Sequence, residues 1–148
     1  MRTILILLFA AHSGWAETGG RAEYVGGTLT AFDNRAAGRV LTTSDETLRF
    51  KGKGQSFDVS YDKINLIEYG QKVDRRYLAA VLISPLFLMS KKRNHFLTIG
   101  FEDDKGKQQA MVFRVRKEDV RSLLVSLEAR TGRKIQYQDE DARKAGKG

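Results

Sequence analysis

Cysteine is absent from the 148 residues, and the chain holds one proline, one tryptophan and two histidines. Without a thiol there is no disulfide, no lipid-modified cysteine and no thiolate nucleophile, so the fold has to be held by its own core. The single Pro85 leaves no proline-rich linker, and no solenoid-type repeat divides the sequence. Histidine is scarce enough to restrict chemistry: beyond the first sixteen residues only His95 remains, so a Ser-His-acid arrangement would have one base to draw on. Apolar residues are not scarce. At 41% hydrophobic and 30% charged the chain is not globally disordered, and its length suits one domain with a real core.

Residues 1–16, "MRTILILLFAAHSGWA", combine a basic start at Arg2, an apolar run from Ile4 to Ala11, and small Gly14 and Ala16 before Glu17. This is the pattern of a cleavable signal peptide, with a buried first strand or an uncleaved anchor as the competing readings. The run is too short to span a bilayer comfortably. The expectation is an exported protein, periplasmic or secreted, whose only tryptophan, Trp15, leaves with the signal. Removing residues 1–16 takes away one of 26 cations and none of 18 acids, so the net charge falls only from +8 to +7. An excess of that size favours anionic partners, which outside the cytoplasm means lipid headgroups, wall polymers or acidic proteins.

After a segment at 17–23 expected to be flexible, turn signals and alternating apolar residues recur about every ten residues, as in all-β domains. "GGTLTAF" (Gly26–Phe32), "RVLTTSD" and "ETLRFKG" read as strands, with Leu48 and Phe50 inward and Arg49 and Lys51 outward. "SFDVSY" places Phe57, Val59 and Tyr61 on one face, and Ile67 and Tyr69 alternate before Gly70. The clearest hairpin joins Leu97, Ile99 and Phe101 to Met111, Phe113 and Val115 around Asp103–Gly106. Then the period lengthens: Val120, Leu123, Leu124 and Leu127 stand at helical spacing, with Glu118 and Asp119 opening the helix and Gly132 ending it. A short strand over Lys134–Gln138 is followed by a charged tail, 139–148, expected to be disordered.

On "FDVSYDKINLIEYG", the Phe96–Val115 hairpin and the closing helix, the region 24–138 resembles the bacterial pleckstrin-homology-like and GRAM-like domains. "RNHFLTI" and "LEARTG" are also similar to segments of small exported bacterial proteins of unknown function. The resemblance implies a mainly β fold, an antiparallel barrel or two nearly orthogonal sheets of about seven strands closed by one C-terminal amphipathic helix. Such scaffolds bind lipids, peptides or proteins and seldom catalyse. The first loop lacks the basic pocket motif of phosphoinositide recognition, and an insertion at 71–95 sets the chain apart.

That insertion contains Leu78–Met89, twelve residues of which only Ser84 and Pro85 are not apolar. As a helix it would extend about 18 Å against a hydrocarbon core of about 30 Å, and Pro85 interrupts it, so a bent hairpin is expected rather than a crossing. Arg75 and Arg76 precede it and Lys91, Lys92 and Arg93 follow. Leu82, Ile83, Leu86, Phe87 and Leu88 could therefore enter an acyl boundary while the five cations meet phosphates, at about 1 kcal/mol each. Three occupants stand open for these ten contact residues: an anionic membrane, protein (the domain itself, a second copy or a partner), or a captured peptide or ligand.

Catalytic signals are missing. His95 has no motif around it and reads as a surface or interfacial residue; "EDD" (Glu102–Asp104) and "DED" (Asp139–Asp141) lack calcium-loop spacing and read as a turn and a solvated tail. "GKGQSF" from Gly52 leads into a strand instead of opening a phosphate-binding helix. Arg114, Arg116 and Lys117, with Arg49, Lys51 and Lys53, could form basic outward faces, but the aromatic residues fall on the opposite phase, which speaks against single-stranded nucleic acid. The expectation is a non-enzymatic exported binding or scaffolding module with no catalytic residue, metal or cofactor. It would meet a protein partner or an anionic membrane through the insertion; a homo-oligomeric structural protein using the same surface is the alternative, and an uncharacterised enzyme a distant third.

Overall fold

Period-two alternation of β-branched and aromatic residues makes strands here wherever a polar or glycine turn separates two runs. The computed structural model, which describes residues 17–33, 35–72 and 94–147, places the segment 1–16 and the proposed contact residues Arg75–Arg93 outside what is described. Eight strands are present: β1 (Gly19–Gly27), β2 (Ala36–Leu41), β3 (Thr47–Gly52), β4 (Ser56–Ser60), β5 (Ile64–Gly70), β6 (Phe96–Glu102), β7 (Gln108–Val115) and β8 (Gln136–Tyr137). Two helices follow β7: α1 (Lys117–Thr131) and, after β8, α2 (Glu140–Lys147).

The strands form one sheet in the order β4-β3-β2-β1-β7-β6-β5-β8, with every pair antiparallel except β5 and β8. The mainly β expectation holds. The closed barrel does not, because β4 and β8 are the two ends of the hydrogen-bonded order. Among the described residues, eight strands and two helices stand where about seven and one were expected.

Two segment boundaries are also corrected. The expected flexible segment 17–23 supplies most of β1, whose Gly19–Tyr24 pairs with β2 and whose Ala22–Gly27 pairs with β7 across a bulge at Tyr24/Gly26. The strand expected over Gly26–Phe32 is therefore displaced toward the N-terminus, and its later residues form the turn into β2. The tail expected to be disordered folds as α2, which buries Ala142 and Gly146; Asp139 caps it by accepting the Ala142 N–H at 2.7 Å.

The first face of the sheet holds the core. Tyr24, Phe32, Phe50 and Phe113 cluster with ring centroids 4.9–6.3 Å apart. Val120, Leu123, Leu124 and Leu127 of α1 press onto the same cluster. The helix ends as read, with Gly132 left-handed at φ 67° and its N–H donated to the Glu128 carbonyl. The β6–β7 hairpin likewise sets Leu97 opposite Phe113 and Ile99 opposite Met111, while Phe101 faces Gln109 and Val115 turns out to face Ala22 of β1.

Antiparallel strands with one wet face alternate buried and exposed residues. β3 does so, but β6 is buried from Phe96 through Phe101 and β7 from Ala110 through Phe113. Cross-strand register puts Phe96, Thr98, Ala110 and Val112 on the face opposite the core, where Val25 and Glu68 are buried beside them. This end of the sheet is covered on both sides. Gly70 pairs with Phe96, so the chain leaves β5 for the insertion and returns to β6 at the same edge.

Candidate functional site: a cationic face beside the insertion

The same second face changes character toward β4. Directly paired residues point to one side of a sheet. Arg39 stands opposite Arg21 on β1 and opposite Lys51 on β3; Arg116, just past β7, joins them by donating its backbone N–H to the Arg21 carbonyl at 3.1 Å. Lys51, Arg39, Arg21 and Arg116 thus form one row across four neighbouring chain segments, about 15 Å long at the usual strand spacing. Arg49 and Arg114 lie on the same face two residues away from this row on their strands, making six cations on this part of the face beside the carboxylates of Asp58 and Glu23.

Outside the row, charges are matched. Arg49 grips Asp58 with two bonds of 2.7 Å, which hold the Asp58 carboxyl below its usual range. Glu23 takes the Arg114 guanidinium on one oxygen and stands 3.6 Å from Arg35 on the other. Inside the row one acid serves: Asp119 of α1 accepts the Arg21 N–H at 2.8 Å and its Nε at 3.2 Å. Burial raises the Asp119 carboxyl, but these bonds and the nearby charges of Arg21 and Arg39 outweigh it and leave it low. Arg39 is the least served member, its Nε buried with no hydrogen-bond partner among the described residues.

Where the row meets α1 the surface dips into an open cleft of about 880 Å³ lined by Arg21, Glu23, His95, Arg114, Arg116 and Lys117. His95 belongs half to this cleft and half to the core. Its Nδ1 is 2.5 Å from the Tyr69 hydroxyl. Burial pushes the Tyr69 phenol up to about 12, and no other acceptor for its proton exists among the described residues, so Tyr69 donates and His95 keeps its proton on Nε2. Burial, then the charge of Lys117, holds the imidazole below its ordinary value and therefore neutral.

The polar partner of His95 is thus a buried phenol. Asp103 organises the β6–β7 turn by accepting the Lys105 and Lys107 N–H groups at 2.9 Å each, and no metal-binding group of side chains occurs among the described residues. None of the helices there is long and apolar enough to cross a membrane. Of the basic outward residues read from the sequence, Arg49, Lys51, Arg114 and Arg116 are brought to one face. Arg21 and Arg39 join them unanticipated, the first because its segment had no strand signal, the second because only register reveals its neighbours. The ten contact residues from Arg75 to Arg93 lie outside the described residues, but Asn94 and His95, next in the chain, line the cleft. No family model matches the chain, and no curated protein is similar to it.

Proposed function

We propose that this chain is a non-enzymatic, exported binding module of pleckstrin-homology-like fold that attaches peripherally to an anionic membrane surface. Contact is made by the apolar side chains Leu82, Ile83, Leu86, Phe87 and Leu88, with Arg75, Arg76, Lys91, Lys92 and Arg93 at their flanks. The observation that carries this reading is the cationic face: six basic residues on one side of the sheet, reaching a cleft whose wall is continuous in sequence with Arg93. A basic face, and an apolar, cation-flanked segment that precedes Asn94 in sequence, are complementary to a layer of phosphates over hydrocarbon.

The test is co-sedimentation with vesicles of mixed phosphatidylglycerol and phosphatidylcholine. A Leu82→Ser, Phe87→Ser, Leu88→Ser triple variant with an unchanged far-ultraviolet circular dichroism spectrum should lose binding; full retention would overturn the membrane reading. Mass spectrometry of the exported protein should find a chain beginning at Glu17. A second reading is association with a protein partner or a second copy through the same insertion, whose apolar residues would then be buried against protein instead of lipid. Light scattering over a concentration series, without lipid, would show the mass growing if copies associate.

A further inference from the structure

The row Lys51–Arg39–Arg21–Arg116 raises a question of stability. Like charges directly opposite one another on neighbouring strands repel at Cβ separations of about 4.5–5.5 Å, and sheets ordinarily alternate them with acids. This sheet does so two residues away, with Arg49 on Asp58 and Arg114 on Glu23. In the row it does not. Asp119 satisfies Arg21 from one end, Lys51 and Arg116 are exposed with no acidic partner within 4.0 Å among the described residues, and the Arg39 Nε is buried and unbonded.

We propose that the middle of this row, Arg39 between Lys51 and Arg21, binds a phosphate group. A tetrahedral phosphate laid over Arg39 would reach the guanidinium fork of Arg21 on one side and the Lys51 ammonium on the other. It would turn three repulsive neighbours into charge-assisted donors. The proposal rests on the reading of an anion-facing module and adds the chemistry and the place of the anion. The same group is offered by free phosphate or by a lipid headgroup. Among the described residues the face carries no exposed aromatic ring for base stacking, so a nucleic-acid phosphate is not the source favoured.

Thermal unfolding of the full chain distinguishes these sources. The probes are inorganic phosphate against chloride at matched ionic strength, and phosphatidylglycerol-containing vesicles against pure phosphatidylcholine vesicles. Occupancy should raise the wild-type midpoint by about 9 °C once the phosphate is near a hundred times its Kd. Arg39→Gln should shrink that shift to under about 1 °C. In chloride alone the same variant should melt at or above wild type, because a like charge has gone; a purely structural arginine would give the opposite sign. Lys51→Gln, an exposed change that cannot disturb the core, should weaken the shift as well and stands in if Arg39→Gln folds poorly. A response to vesicles without one to inorganic phosphate assigns the headgroup, and the reverse assigns free phosphate. No response to either probe, or an equal response in the variants, overturns the site. Because the triple serine variant leaves the row intact, loss of its vesicle binding with a retained phosphate shift separates failure of the insertion from failure of this site.

Discussion

His95 shows how one side chain can tie the cleft to the core. Its Nδ1 accepts from Tyr69 of β5, while Lys117 and Glu118 of α1 act on its charge in opposite senses, with burial the largest influence and the net effect a lowered pKa. The sign of the consequence follows from linkage. A histidine depressed below its ordinary 6.5 is protonated first in the unfolded chain as pH falls, so stability is full above about pH 6.5 and declines below it. The lowered carboxylates of Asp58 and Asp103 lose their contribution only below about pH 4, which leaves the intervening window to the histidine. Urea midpoints should therefore drop for the wild type between about pH 7.5 and pH 5.5, and His95→Gln should flatten that drop. An equal drop in the variant would remove His95 as its cause.

Among the elements, α2 is held by very little apolar surface, and Gly146 is what lets it approach. A Cβ there would lie 2.7 Å from the Tyr137 ring, 3.1 Å from Leu124 and 3.3 Å from Tyr69. Gly146→Val should undock the helix at a cost of about 1–3 kcal/mol, read as a lowered urea midpoint and faster proteolysis after residue 138. The sequence hides this helix because its inward residues are Ala142, Ala145 and a glycine, too small to stand out in a segment dominated by charge. By contrast α1 is legible to the residue: four large aliphatics at 3.6 spacing, acids at the start and glycine at the stop leave one solution. The β6–β7 hairpin is legible for the same reason at period two. β1 is not, since "GGRAEYVGG" has four glycines and two charges in nine residues and becomes a strand only because β2 and β7 hold it from both sides. The cationic row escapes sequence reading in a different way: each cation could be read as outward-facing, but opposition across strands is decided by register, which pairs residues far apart in the chain.

For the whole molecule, a net charge of +8, or +7 without residues 1–16, concentrated partly on one face would make the proposed attachment to an anionic layer both electrostatic and oriented. Vesicle binding should weaken steeply as ionic strength rises from about 0.05 M to 0.5 M, where the screening length falls well below the width of the row. Binding that ignores salt would mean that the apolar insertion alone carries it. Charge also limits the alternatives: two copies meeting face to face through the row would oppose like charges, so a dimer built on this chain would have to use another surface.

β1 sits in the middle of the sheet, with Ala22 facing Val115. The earliest strand to leave the ribosome thus waits for one of the last before half of its amides find partners, and a long stretch of chain has to be held in reserve meanwhile. Contacts so distant in sequence make assembly slow and late, because the loop entropy is lost before the pairing returns anything. For the export proposed above, that delay would be an asset: the polypeptide would stay pliable until nearly all of it had been delivered.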